Sequence, residues 1–141
     1  MPTMRLEIVT AEQLVYAEEI EGLVAPGAEG ELGILPYHAP LLTVLQPGEL
    51  RIIKEGDDDV YMAVSGGFLE VMANKVVVLA DAAERADEID EARAQEGVRR
   101  AQERIEHSAA DMDLERAMAS MRRSQARLKV VRRRRHPPTP G

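Results

Sequence analysis

The sequence predicts an all-β sandwich of about ten short antiparallel strands followed by an α-helical hairpin, and three observations carry that prediction. From residue 4 to about residue 81 the apolar residues fall in short runs bounded by Gly, Pro, Asn or Asp. No helix-length segment separates those runs, which argues against alternating β and α units. From 86 to 135 there is no proline and only one glycine, Gly97, and Ala, Glu, Arg and Gln dominate. The organisation that follows is a sandwich over 1–85, a two-helix hairpin over 86–135 and a disordered tail over 136–141.

Taken in order, MRLEIVT puts Met4, Leu6 and Ile8 on one face at period 2, with Arg5 and Glu7 on the other. The runs QLVYAEE, EIEGLVAP, GELRIIKE, VYMAVSGG, GFLEVMAN and KVVVLADA follow. EGDDDV and ANK carry hairpin-turn chemistry, and SGG allows a tight reversal or bulge. EGELGILPYHAP fits none of these: its apolar residues do not alternate, and two glycines, two prolines and a histidine punctuate it. In the helical region Ala94, Val98, Ala101 and Ile105 make one stripe, and Leu114, Met118, Met121 and Leu128 a second. HSAADMD, with Ser108, Asp111 and Asp113, supplies the break and a new N-cap. Both stripes are narrow, so the hairpin is expected to pack weakly and to move. Pro137 ends the second helix.

With 45% hydrophobic residues but 3% aromatics and no Trp, the core must come from Val, Ile, Leu, Ala and seven Met. The absence of Cys excludes disulfides and thiolate metal sites and points to an intracellular setting. No run approaches the roughly 18 apolar residues of a membrane span, and MPTMRLEIVT has no signal-peptide core. The charge is polarised. Residues 114–141 hold nine Lys/Arg against one acid, net +8, whereas residues 1–113 hold nine against 24, net −15. A basic arm on an acidic body seeks a negative surface, whether nucleic acid, anionic lipid, an acidic protein patch or the body itself.

EGELGILPYHAPLLTVLQPGELRI resembles the signature of the epsilon subunit of bacterial F-type ATP synthases, called delta in mitochondria. SGGFLEVMANKVVVLADAAERADEIDEARA is similar to that family's last sandwich strands and first helix. The likeness spans about residues 4–131. It implies a non-catalytic rotor part at the foot of the central stalk, held peripherally at the cytoplasmic face of the bacterial inner membrane. It reaches the membrane only through the complex. The implied partners are the gamma subunit, the ring of c subunits and, transiently, the alpha and beta catalytic subunits. The implied role is to couple the ring to gamma during proton-driven ATP synthesis and to restrain hydrolysis through a mobile hairpin. Tyr37 departs from the family, which usually has Gly there, and the Arg-rich end after Val131 is longer and more basic than typical.

Three groups of residues follow as candidate sites. The resemblance places Glu31, Gly33, Ile34, Leu35, Pro36, Tyr37, His38, Pro40, Leu41 and Leu42 at the contact with gamma and the c ring. The plainer alternative for His38 is a turn histidine that hydrogen-bonds locally. The string Ile89-Asp90-Glu91-Ala92-Arg93-Ala94 matches the family's I/L-D-x-x-R-A pattern, which implies one regulatory ATP and no required cofactor. Arg93 and Arg100 are two helical turns apart, and Arg123 and Arg127 stand at i, i+4. In an antiparallel hairpin these four guanidiniums could converge on a triphosphate, with Asp90 toward the adenine and Glu84 toward the ribose. Against this, Asp87 or Asp90 is a good N-cap or first-turn acid, and an exposed Arg is ordinary solvated charge. In the extended hairpin, Arg116, Arg122, Arg123, Arg127 and Lys129 are implied to meet acids of the catalytic subunits.

Rival classes find less support. A nucleic-acid-binding barrel would need stacking aromatics and a basic strand face, but the sandwich region is acidic and has one Phe, Phe68. An enzyme would need a nucleophile–base or metal constellation, and the three histidines, His38, His107 and His136, have no ligand spacing.

Overall fold

The computed structural model describes residues 2–107 and 111–135, and within the second helix the side chains of 113–133. Ten strands are seen among them: β1 (Met4–Val9), β2 (Leu14–Ile20), β3 (Gly22–Gly27), β4 (Gly30–Ile34), β5 (Leu41–Leu45), β6 (Gly48–Ile53), β7 (Val60–Val64), β8 (Gly67–Met72), β9 (Lys75–Ala80) and β10 (Ala83–Arg85). A 3₁₀ turn over Ala86–Glu88 leads to α1 (Glu91–Glu106), which is followed by α2 (Asp111–Arg135).

The strands form two layers of five. One runs β10-β7-β6-β3-β4 and the other β5-β8-β9-β1-β2, and the single pair Gly27↔Leu45 joins them at a corner. Even-numbered residues of β1 (Met4, Leu6, Ile8) point inward and are at most 1% exposed, as their period-2 spacing requires. They meet Leu23, Leu50, Ile52, Met62, Leu69 and Val78 in one continuous core. At the seam Tyr16 donates to Glu18 at 2.6 Å, while Lys54 Nζ holds the same carboxylate oxygen at 2.7 Å. Burial first, then the neighbouring carboxylate, pushes the Tyr16 hydroxyl well above its ordinary pKa.

The sandwich departs from expectation in direction and in strand inventory. β1 and β9 pair in parallel, Arg5↔Lys75 through Val9↔Leu79, so the strands are not all antiparallel. Period 2 marks a strand's faces but carries no information about its partner's direction. Here the outer-face charges agree with the pairing: Glu7 lies 3.4 Å from Lys75 and 3.6 Å from Arg5. The run EIEGLVAP is not one strand. β2 ends at Ile20 and β3 begins at Gly22, and the chain changes layers at Glu21, whose N–H donates to Ile53 O at 2.8 Å. The turn expectations hold. Ala73 and Asn74 both have positive φ (49° and 59°), which a two-residue type I′ hairpin loop demands between Met72 and Lys75.

The segment that did not read as a strand contains one. Gly30–Ile34 pairs with β3, Leu23↔Ile34 through Gly27↔Gly30, and only the part beyond Ile34 is a loop. The pattern hid it because only Leu32 and Ile34 alternate before Leu35 breaks the period, and an edge strand beside a single partner needs little apolar regularity.

The helical hairpin lies folded against the outer face of the first layer, over β6, β7 and β10. The helices are antiparallel, Arg132 reaching Glu91 at 3.6 Å while Gly97 faces Ser124. A small second core holds them: Ala63 and Tyr61 of β7, Ile89, Ala94, Leu128, Val130 and Val131. The α2 stripe thus differs from the expected one. Ala117, Ala126, Val130 and Val131 are its buried residues, while Met118 is 44% exposed. The break falls at HSAADMD as expected, with His107 closing α1 and α2 starting at Asp111. Of the three residues expected to supply the break and cap, Ser108 lies outside the described residues, as does the tail over 136–141.

Candidate functional site

Two features of this architecture stand out, one on each layer. The first is an apolar outer face. The β5–β8–β9 register sets Val44 opposite Phe68 and Phe68 opposite Leu79, and Leu42 and Met72 lie on the same face. All five are at least half exposed, and Tyr37, tied to the β8–β9 turn through Asn74, is 75% exposed. A contiguous exposed surface of large apolar side chains marks a place where another molecule sits. The folded hairpin occupies the opposite layer, so this face stays clear. Val44, Phe68, Met72 and Leu79 escaped the sequence reading. Their signal was present: LLTVL, GFLEVM and KVVVLA are apolar at both parities, as strands covered on both faces are.

The loop beside that face is tightly fixed. Leu35-Pro36-Tyr37-His38 is a turn closed by the His38 N–H donating to Leu35 O at 3.2 Å. Pro36 presets the bend, and Tyr37 sits at φ 65°, the position where such a turn favours Gly. Asn74 secures it: Oδ1 accepts from the Tyr37 N–H at 2.8 Å, and Nδ2 donates to Thr3 O at 2.9 Å. His38 turns inward locally, with Nδ1 2.7 Å from Ala39 O. Of the other docking candidates Glu31, Gly33, Pro40 and Leu42 are exposed, Pro36 and Leu41 half-buried. Ile34, at 1% exposure, belongs to the core and offers no free side chain.

The second feature is a cleft of about 350 Å³ between α2 and the β7–β10 edge, lined by Glu84, Arg123, Arg127, Ser65, Ser120 and Ser124. Its centre is an ion pair. Arg127 Nη2 donates to Glu84 Oε2 at 3.2 Å, and Nε lies 2.8 Å from Oε1 without the alignment of a hydrogen bond. Glu84, Arg123 and Arg127 are therefore brought together, whereas Arg93 and Arg100 are exposed on α1 and do not line the cleft. Arg100 rests 3.4 Å from Glu96. Asp90 is the N-cap of α1, its Oδ1 accepting from the Arg93 N–H at 3.2 Å, and Ile89 and Ala94 are buried in the second core. Most of the Ile89–Ala94 string thus has structural work, and Arg93 alone among its site candidates has a side chain turned outward. Arg116, Arg122 and Lys129 are exposed on α2.

These features define a class of protein: a β-sandwich with one apolar outer face, carrying a helical hairpin folded against its other layer. Residues 3–86 match the family described as ATP synthase, Delta/Epsilon chain, beta-sandwich domain, and 87–132 match ATP synthase, Delta/Epsilon chain, long alpha-helix domain. The chain belongs to the ATP synthase delta/epsilon family. It is 51% identical over 133 residues to the ATP synthase epsilon chain of Herpetosiphon aurantiacus, covering 94% of this chain and 97% of that one. It is 53% identical over 143 aligned positions to the epsilon chain of Dehalococcoides mccartyi, covering 97% and 99%. In fold it is similar to a chain of the Euglena gracilis mitochondrial ATP synthase OSCP/F1/c-ring structure, with TM-score 0.80 at 21% identity, covering 92% of this chain and 81% of that one. A chain of the Tetrahymena thermophila central stalk/c-ring structure matches with TM-score 0.56 at 17% identity, covering 93% and 95%.

Proposed function

We propose that the chain is a non-catalytic rotor subunit of an F-type ATP synthase. Its sandwich joins gamma to the c ring at the foot of the central stalk, and its hairpin restrains ATP hydrolysis. The observation that carries this is the exposed Leu42–Val44–Phe68–Met72–Leu79 face, which the folded hairpin leaves open. Relatives named ATP synthase epsilon chain at about half identity over nearly the whole length support it.

Reconstitution with the gamma subunit and c ring tests this. Phe68→Glu puts a second charge beside Glu70, between Val44 and Leu79, and is expected to weaken assembly at least about tenfold, as loss of a buried aromatic anchor does. Tyr37→Gly separates docking from folding. It relieves the positive-φ cost and is expected to raise stability by up to about 1 kcal/mol in urea denaturation, while lowering affinity for the rotor. Unchanged assembly for both variants sinks the docking assignment.

The cleft supports regulatory binding of ATP by the folded hairpin, without hydrolysis. Arg127 and Arg123 supply forked donors that suit phosphate, and Glu84 is within reach of hydroxyls. A ligand there must displace the Glu84–Arg127 pair, and it shifts the hairpin only by its differential affinity for the folded state. ATP-rich conditions then favour the folded, permissive position. Calorimetric titration of the full chain is expected to show binding that Arg127→Ala weakens about tenfold or more, the worth of a charge-assisted contact. An absence of heat at millimolar nucleotide removes the ligand from the proposal and leaves the docking role intact.

A further inference from the structure

The hairpin has a second ionic attachment, away from the cleft. The strand registers set Glu84 of β10 opposite Ala63 of β7, and Ala63 opposite Glu49 of β6. An acid–alanine–acid row therefore crosses three strands on the outer face of the first layer. α2 lies over that row with matching chemistry. Arg127 takes Glu84 at one end, and the buried Val130 packs in the same small core as Ala63. At the other end Arg133 forks onto Glu49, Nε to Oε2 at 3.2 Å and Nη2 to Oε1 at 3.3 Å, and Lys129 Nζ stands 3.7 Å from Oε1. The Arg133 guanidinium also lies 5.1 Å above the Tyr61 ring. The Glu49 side chain is only 9% exposed, so its charge is held between two cations and an apolar wall with little water to screen it.

We propose that Glu49, with Lys129, Arg133 and Tyr61, is a ligand-independent clamp that keeps the hairpin folded when no nucleotide occupies the cleft. The geometry separates the two ends. A phosphate-bearing ligand that competes for Arg127 leaves the Glu49 end intact. Release of the hairpin requires Glu49 to give up both cations, which then become available to acids elsewhere. Because each contact is ionic, the clamp weakens with salt, although its shielded carboxylate makes it less salt-sensitive than a fully exposed pair. The inference rests on the hairpin being able to leave the sandwich, but its test reads the opening directly on the isolated full chain.

Hydrogen exchange without nucleotide decides it. Glu49→Gln keeps the shape and removes the charge. The amides of 130–133 are expected to exchange about tenfold faster, the loss of a charge-assisted contact, while those of β1 and β9 keep their protection. Arg133→Gln, made from the helix side, is expected to give the same acceleration and decides the matter if Glu49→Gln disturbs the strands. Glu84→Gln is expected to speed the same amides less than threefold, as a contact at the other end of the row would. Wild-type exchange in both Glu49→Gln and Arg133→Gln, or acceleration by Glu84→Gln equal to theirs, overturns the clamp. Adding ATP separates the two proposals: without nucleotide binding the cleft assignment fails, and the Glu49 result is untouched.

Discussion

Replacing Gly67 with alanine is expected to destabilise the sandwich by at least about 3 kcal/mol, the largest effect of any small substitution in this chain. Gly67 opens β8 and pairs with Leu45 on one side and Ala80 on the other. Its φ is +135°, a region that L residues rarely adopt. A methyl group there would stand 2.0 Å from the Leu79 carbonyl oxygen and 2.9 Å from Ala80 Cα, both backbone atoms that cannot swing aside. The variant must shift β8 relative to β9, and with it Leu69 and Val71 from the core. For a domain of this size the loss corresponds to a fall in Tm of roughly 12–24 °C. Gly33→Ala is the control. No atom lies within 4 Å of the added methyl, so its effect on stability is expected to stay within about 0.5 kcal/mol. Thermal unfolding followed by circular dichroism reads both, and a Gly67→Ala protein that melts with wild type refutes the tight approach.

Gly97→Leu is expected to separate the hairpin while the sandwich stays folded. A Cβ at Gly97 would lie 2.6 Å from Ser124 Oγ and 3.3 Å from Ser124 Cβ, so this glycine sets the closest approach of α1 to α2. Alanine is nearly neutral there, because the Ser124 hydroxyl can rotate and Gly→Ala gains about 1 kcal/mol of helix propensity. Leucine adds three more carbons to a contact with no room, an overpacking cost of about 1–3 kcal/mol. The second core is small and separate from the main one, so that cost is enough to undock the helices without unfolding the strands. Exchange is expected to rise throughout α1 and α2 and to stay slow in β1 and β9. Equal protection of the helices in Gly97→Leu and wild type would rule out this helix–helix contact.

Much of the fold was legible because its signals are local. Met4, Leu6 and Ile8 declared an inward face, Ala73-Asn74-Lys75 a hairpin turn and Ser65-Gly66-Gly67 a tight reversal or bulge; the structure adds that the first is type I′ and that Gly66 and Gly67 take positive φ. The hairpin was legible from composition and apolar spacing, and of the two cap candidates, Asp87 and Asp90, it is Asp90 that caps α1. Tyr37 was flagged by the family resemblance, as a residue where a small one is usual. The structure supplies the reason in its φ of 65° and in the Asn74 side chain 37 positions away that holds its N–H.

The candidate sites were legible only in part. The two cleft arginines announced themselves by i, i+4 spacing, but nothing in the string showed that Arg93 and Arg100 would face away from the cleft. Nor did spacing show that Ile89 would be core. The negative surface sought by the basic arm was left open between several partners. In the folded chain three of its cations, Arg127, Lys129 and Arg133, rest on Glu84 and Glu49 of the body itself.

By itself, then, the sequence determined the two-part architecture, the turns and the periodic faces, since each depends on residues within a few positions of one another. Tertiary structure decided the parallel β1–β9 pair, the edge strand in EGELGI, the two-sided apolar face and the Glu84–Ala63–Glu49 row beneath α2. All but the β3–β4 hairpin join residues more than ten positions apart. Alternation specifies which side of a strand is apolar, but the neighbour across the hydrogen bonds, and hence which charges and methyl groups stand side by side, is settled only when the whole sheet closes.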